Sequence, residues 1–191
     1  MKIIQLRGVN GVGKTTIVRD FIEKGNFSVG EQQIGAKQYS YCFDGKIAII
    51  GRYDARETGG VDGMISDKAV LKEVIAQMAR ALSPDYLIFE GVMYGITFQF
   101  SYDISLWAKA KGYEYEAICL MPCFDVAMLR VWERNGGKAV NVERLEDKYM
   151  RAANANKKLK AKGVNCRVVD TGGVERKDMY KILEASVAEK R

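Results

Sequence analysis

The chain has 191 residues, 48% hydrophobic and 28% charged, with 30 Lys and Arg against 24 Asp and Glu for a net charge of +6. That length and apolar content predict one domain over residues 1–191 with a full core. No apolar run approaches the roughly 18 residues of a membrane span and the N-terminus has no signal-peptide pattern, so a cytoplasmic protein with no membrane partner is expected.

Lys2-Ile3-Ile4-Gln5-Leu6 reads as a short buried strand. Gly8-Val9-Asn10-Gly11-Val12-Gly13-Lys14-Thr15 follows and fills every fixed position of G-x-x-x-x-G-K-[ST]. Thr16 to Ile22 continues as a helix. Strand, loop and helix in that order are what give the motif its mechanism. Glycines let successive backbone N–H groups wrap phosphate oxygens, and the helix N-terminus adds its positive end. Asn10, Gly11, Val12, Gly13, Lys14, Thr15 and Thr16 are therefore the expected nucleotide-binding residues. Lys14 is placed on the β- and γ-phosphates and Thr15 on Mg²⁺, which makes a nucleoside triphosphate such as ATP, with Mg²⁺, the expected cofactor pair.

Asp44-Gly45 is a two-residue hairpin signal between strand patterns over 38–43 and 46–50. The core strand over 46–51 then runs into Gly51-Arg52-Tyr53-Asp54-Ala55-Arg56-Glu57-Thr58-Gly59-Gly60-Val61-Asp62-Gly63. Glycines and charges at that density predict a loop that folds around an anionic acceptor, with Arg52, Tyr53, Arg56 and Asp62 as binding residues. Asp54 is a candidate acceptor carboxylate. A helix over 68–82, with Ser66 as its cap, stops at Pro84. The strand over 86–90 delivers Glu90 beside the P-loop strand, where it either holds a magnesium-bound water or takes the acceptor's proton. Tyr94, Phe98, Phe100 and Tyr102 follow, either as a stacking wall for a base or, for two of the four, as core.

A strand over 116–121 precedes a helix over 125–135, closed by Gly136-Gly137. Arg130 and Arg134 share one face of that helix. A long helix over 142–162, a strand over 165–170, Asp170-Thr171-Gly172-Gly173 and a last helix over 174–190 complete the chain. Residues 130–162 hold ten basic against four acidic side chains, a face that attracts polyanions or is simply solvated. The chain has no histidine, so carboxylates, lysine or water must move protons. Cys42, Cys119, Cys123 and Cys166 show no metal spacing; Cys119 and Cys166 read as reduced core thiols.

Apolar runs alternating with helical patterns predict a three-layer α/β/α fold. With Gly8 to Thr15, Glu90 and Arg130/Arg134 in order, the chain resembles the P-loop nucleoside and nucleotide kinases of the thymidylate kinase type. That resemblance implies a five-stranded, mostly parallel sheet in the order 2-3-1-4-5, with a hairpin inserted before the second core strand. It implies ATP as donor, a lid over about 130–140 that closes Arg130 and Arg134 on the phosphates, and an adenine cradle at Asp170 and Gly172. It also implies that Asp54 orients the acceptor hydroxyl. The thymidylate kinase signature Asp-Arg-Tyr/Phe/His is absent, with Glu90-Gly91-Val92-Met93 in its place. The 51–63 segment resembles the bacteriophage 5-hydroxymethyluracil DNA kinases, which implies DNA carrying a modified pyrimidine as acceptor; a free nucleotide is the alternative. A GTPase would need Asn-Lys-x-Asp, and Asn156-Lys157-Lys158-Leu159 lacks the final Asp. A non-catalytic nucleotide-binding module would need neither Asp54 nor Glu90.

Overall fold

A computed structural model describes residues 1–53, 59–65 and 67–188. Strand β1 (Lys2–Arg7) leads through the P-loop into helix α1 (Lys14–Lys24). β2 (Ser28–Ile34), β3 (Lys37–Phe43) and β4 (Ile47–Ile50) follow, then α2 (Lys68–Leu82), β5 (Tyr86–Glu90), α3 (Val92–Gly95) and α4 (Phe98–Ala110). The chain closes with β6 (Glu114–Leu120), α5 (Phe124–Arg134), α6 (Val142–Ala161), β7 (Cys166–Val169), a 3-10 turn at Arg176–Asp178 and α7 (Lys181–Ala188).

Among the described residues the expected five strands are corrected to seven, in the order β2-β3-β4-β5-β1-β6-β7. β4, β5, β1, β6 and β7 run parallel, while β3 pairs antiparallel with β4 and β2 antiparallel with β3. The chain reverses between β3 and β4 at Asp44 to Lys46, where Asp44 Oδ1 accepts from the Lys46 and Ile47 amides at 2.8 and 2.6 Å. β2 has no apolar alternation to announce it: its residues are exposed or half-buried, and ladder hydrogen bonds to β3 define it. α4 was also not anticipated, although Phe100, Ser101, Ile104 and Ala108 are its buried stripe. The last helix is shorter than expected because the chain first makes the 3-10 turn that buries Met179.

Successive strand residues serve opposite faces. Ile4 and Leu6 pack with Ile17, Val18 and Phe21 of α1 and Ile182 and Leu183 of α7. Ile3 packs with Leu71, Val74, Ile75 and Met78 of α2 and Ile104 of α4. Each such side chain contributes about 1.5–3 kcal/mol on burial. α2 is capped by Asp67, whose side chain accepts from the Ala69 amide; the expected cap, Ser66, lies outside the described residues. At the N-terminal end of the sheet Glu116 meets Lys2 at 2.8 Å and Arg167 at 3.4 Å, and Arg167 donates to Ile182 O at 3.1 Å. That buried network ties α7 to β1, β6 and β7. Among the described residues no helix is long and apolar enough to cross a membrane.

Candidate active site

The carboxyl ends of β1 and β5 lie side by side, with Leu6 opposite Glu90. Open parallel sheets bind ligands at such an edge. The P-loop leaves β1 at Gly8 and crosses tightly packed backbone. A Cβ at Gly8 would lie 2.6 Å from Leu120 O, and one at Gly11 would lie 2.3 Å from Ala127 O; both residues also have positive φ, +135° and +79°. Only glycine fits there.

Lys14 opens α1 and is buried. Its Nζ donates to Gly8 O at 3.0 Å and Val9 O at 2.8 Å, so the ammonium closes the loop on itself. Burial pulls its pKa down, opposed by the charges of Glu90 and Asp62. Thr15 Oγ1 donates to Glu90 Oε1 at 2.7 Å. Glu90 is 2% exposed, and burial raises its pKa against the pull of Lys14 and the Thr15 hydrogen bond.

Asp62 completes the cluster. Its Oδ2 accepts from the Val92 amide, while Oδ1 is buried with no hydrogen-bond partner among the described residues. The chain around it is held close: the Val61 amide donates to Glu90 O at 2.9 Å, and a Cβ on Gly91 would lie 2.6 Å from Asp62 Oδ1. Tyr53 packs against Gly51 and Gly59, and Gly59 against Thr15. The Tyr53 phenol is pushed well above its ordinary value by burial, then by Glu90. Arg52 is exposed. Asp54 and Arg56 lie outside the described residues.

On the other side of the P-loop, Arg130 donates to Thr171 O at 2.9 Å and to its hydroxyl at 3.4 Å. Thr171 Oγ1 donates in turn to Val12 O at 3.0 Å. Arg134 is exposed, yet close enough for its charge to depress Lys14. Asn10 has a buried, unpartnered Oδ1 and lines a cavity of about 310 Å³ with Arg134, Arg144 and Lys148. Asp170 turns its carboxylate onto the Gly172 amide at 2.7 Å, forming the exposed loop after β7.

The aromatic group divides. Tyr94 and Phe100 are buried with centroids 4.2 Å apart, and Tyr94 Oη donates to Ile65 O. Phe98 and Tyr102 stack at 5.3 Å and remain half-buried. Two residues of this region escaped the sequence reading. Thr171 carries no motif beyond being a lone hydroxyl after a strand. Arg7 had a signal, a cation in an otherwise apolar strand directly before Gly8. It is fully buried and donates to Gly95 O at 3.2 and 3.0 Å, so it clamps α3 against the base of the P-loop.

A P-loop whose lysine and threonine face a buried carboxylate, on this sheet, defines a P-loop nucleoside triphosphate-binding protein. The chain is 32% identical over 174 residues to the 5-hmdU DNA kinase of Pseudomonas phage M6, covering 87% of this chain and 90% of that one. The chain belongs to the 5-hmdU DNA kinase family and is a phosphotransferase. It is also 30% identical over 159 residues to the 5-hmdU DNA kinase of Delftia phage PhiW-14, where it spans 59% of the relative's length. No family model matches. Among solved structures the fold is shared with the tunicamycin resistance protein of Deinococcus radiodurans, at a TM-score of 0.58 and 16% identity over 97% of this chain and 95% of that one. It is shared as well with the deoxyadenosine kinase of M. mycoides with bound dATP, at 0.51 and 14% over 99% and 100%.

Proposed function

We propose that this chain transfers the γ-phosphoryl group of ATP to the hydroxymethyl oxygen of 5-hydroxymethyluracil in DNA. The observation that carries the catalytic part is the cluster of Lys14, Thr15, Glu90 and Asp62 at the ends of β1 and β5. The substrate rests on the 5-hmdU DNA kinase of Pseudomonas phage M6.

The P-loop amides and Lys14 hold the phosphates; Lys14 exchanges its two carbonyl partners for phosphate oxygens of the donor. The hydroxyl of Thr15 and the carboxylate of Glu90 are hard oxygen donors 2.7 Å apart, a set that suits Mg²⁺. Thr15 and Glu90 would hold Mg²⁺ there, and it would neutralise charge on the transferring phosphates. Glu90 is thereby committed to the metal side. Asp62 keeps a buried oxygen without a partner, and it is the carboxylate we assign to the acceptor: it orients the hydroxymethyl group and accepts its proton as the oxygen attacks phosphorus. Arg134, beside Lys14, meets the charge that develops on the transferring group.

The test offers labelled ATP and Mg²⁺ with a single-stranded oligonucleotide carrying one 5-hydroxymethyluracil, the same oligonucleotide with thymine, and the free deoxynucleoside monophosphates. Label is expected on the modified oligonucleotide alone. Asp62→Asn should lower that rate by about 10²-fold with little change in the KM for ATP. Label on the monophosphates alone would assign a nucleotide kinase instead.

A further inference from the structure

Beside the phosphate end of the site the junction of α5 and α6 carries a second cavity that the phosphoryl transfer does not use. It has a volume of about 370 Å³ and is lined by Met128, Leu129, Trp132, Val140 and Val142. Val140 is also part of the wall of the basic cavity that holds Asn10, Arg144 and Lys148. An apolar well and a cationic well therefore adjoin, and the second opens onto the P-loop through Asn10. Trp132 is 46% exposed, and Leu129 and Val142 are exposed with it. The indole lies against the turn after α5, where a Cβ on Gly137 would approach it to 3.4 Å. Arg144 and Lys148 stand one turn apart on α6 and share a face.

The chemistry of this pair of wells is that of a flat apolar ring joined to an anion. We propose that the α5–α6 junction is a seat for single-stranded DNA: Trp132 stacks on a base neighbouring the target, and Arg144 and Lys148 hold the phosphate that links the two. The assignment deepens the DNA-kinase reading and rests on it. Base faces are open to an indole only where the strand is unpaired. Charge selects the occupant. Arg134, Arg144 and Lys148 line the cationic well with no acidic side chain among its lining residues, so a second copy docking face to face would set like charges against each other, whereas a polyanion is attracted. A stacked neighbour also fixes where along the strand the target base is delivered.

The experiment separates binding from catalysis. Anisotropy of a labelled, unmodified 12-mer of thymidylate measures the seat; phosphate transfer to the same 12-mer with one 5-hydroxymethyluracil measures the reaction. Trp132→Ala should weaken the binding about fivefold or more, the loss of one stacked base. Trp132→Phe should restore it to within about threefold, and Trp107→Phe, on α4, should match the wild type. Arg144→Ala should lower the slope of log affinity against log salt by about 0.7. Wild-type protein that does not bind the 12-mer, Trp132→Ala binding within twofold of wild type, or a wild-type dimer that Trp132→Ala turns into a monomer would each overturn the seat. Phosphate transfer with binding indifferent to Trp132 overturns the seat and leaves the DNA kinase standing. Trp132-dependent binding with no transfer to the modified 12-mer leaves the seat and overturns the kinase's substrate.

Discussion

Lys14 and Glu90 face each other at the mouth of the P-loop, both buried, and burial moves each towards its neutral form. Neither is easily replaced. Lys14→Ala should lower turnover by about 10³-fold while circular dichroism stays native, because the ammonium bonds two loop carbonyls that the donor phosphates are proposed to replace. Glu90 carries a pH signature. Its folded pKa lies above the ordinary 4.5, so the folded chain binds that proton more tightly than the unfolded chain. Below 4.5 both states are protonated and the group is neutral in the balance; as pH rises through the folded value, stability is lost. Glu90→Gln keeps an acceptor for Thr15 and has no proton to lose. Its Tm should therefore gain on the wild type from about pH 4.5 up to the raised folded pKa and stay level above it, while its turnover falls about 10²-fold. A Tm difference that is flat with pH would show that Glu90 does not titrate over that range. Gly8, Lys14, Thr15 and Glu90 were readable from the sequence because their spacing is local to two strand ends. Asp62 could be named as a loop acid, but its place beside Glu90 depends on how the segment after β4 folds back.

At the scale of elements, the loop after β7 is stitched to the P-loop by one hydroxyl. Thr171 bonds Val12 O and receives Arg130 from α5, so three elements meet on a single side chain. Thr171→Val keeps the shape and removes the bonds. It should lower stability by about 1–3 kcal/mol in denaturant melts, as expected for orphaning a buried carbonyl, and raise the KM for ATP more than it lowers kcat. The elements that reading the sequence missed have a common cause. β2 contains Gly30, Gln32 and Gln33 and is held by backbone pairing, which leaves no apolar period to detect. α4 has its buried stripe, but Phe98, Phe100 and Tyr102 invite a strand-like period of two, and only packing against β6 and α6 decides between them. α2, with Leu71, Val74, Ile75 and Met78 on one face, has one clear period and its span was readable, whereas its cap, Asp67, was not.

For the whole molecule, charge is distributed along α6 rather than over one surface. At 1.5 Å per residue, Lys148 and Lys160 lie about 18 Å apart along the axis. Arg144 and Lys148 stand at the P-loop end, and Lys160 stands near Cys119 and Cys166, deep along the sheet. A basic stretch read from sequence merges these two groups; the helix direction separates them. Replacing Lys157, Lys158 and Lys160 together by Ala should leave the salt slope of single-stranded DNA binding within about 0.3 of wild type, because each phosphate contact contributes about 0.7. A fall of one or more would mean that the strand runs the full length of α6. The parallel order was accessible by resemblance and β3 by its hairpin signal, whereas the edge strand β2 was not.

The central place of β1 has a consequence for synthesis on the ribosome. β1 is made before both of its partners, β5 and β6, with Lys2 opposite Tyr86 on one side and Glu114 on the other. At about 5–20 residues per second, β1 waits roughly 5–25 s for both neighbours, while the β2, β3 and β4 meander can pair as soon as it emerges. The P-loop strand is thus an unpaired apolar segment until both partners have emerged. Nascent chains stalled before Glu114 should be substrates for chaperones and should not retain nucleotide; those released after Leu120 should begin to do so.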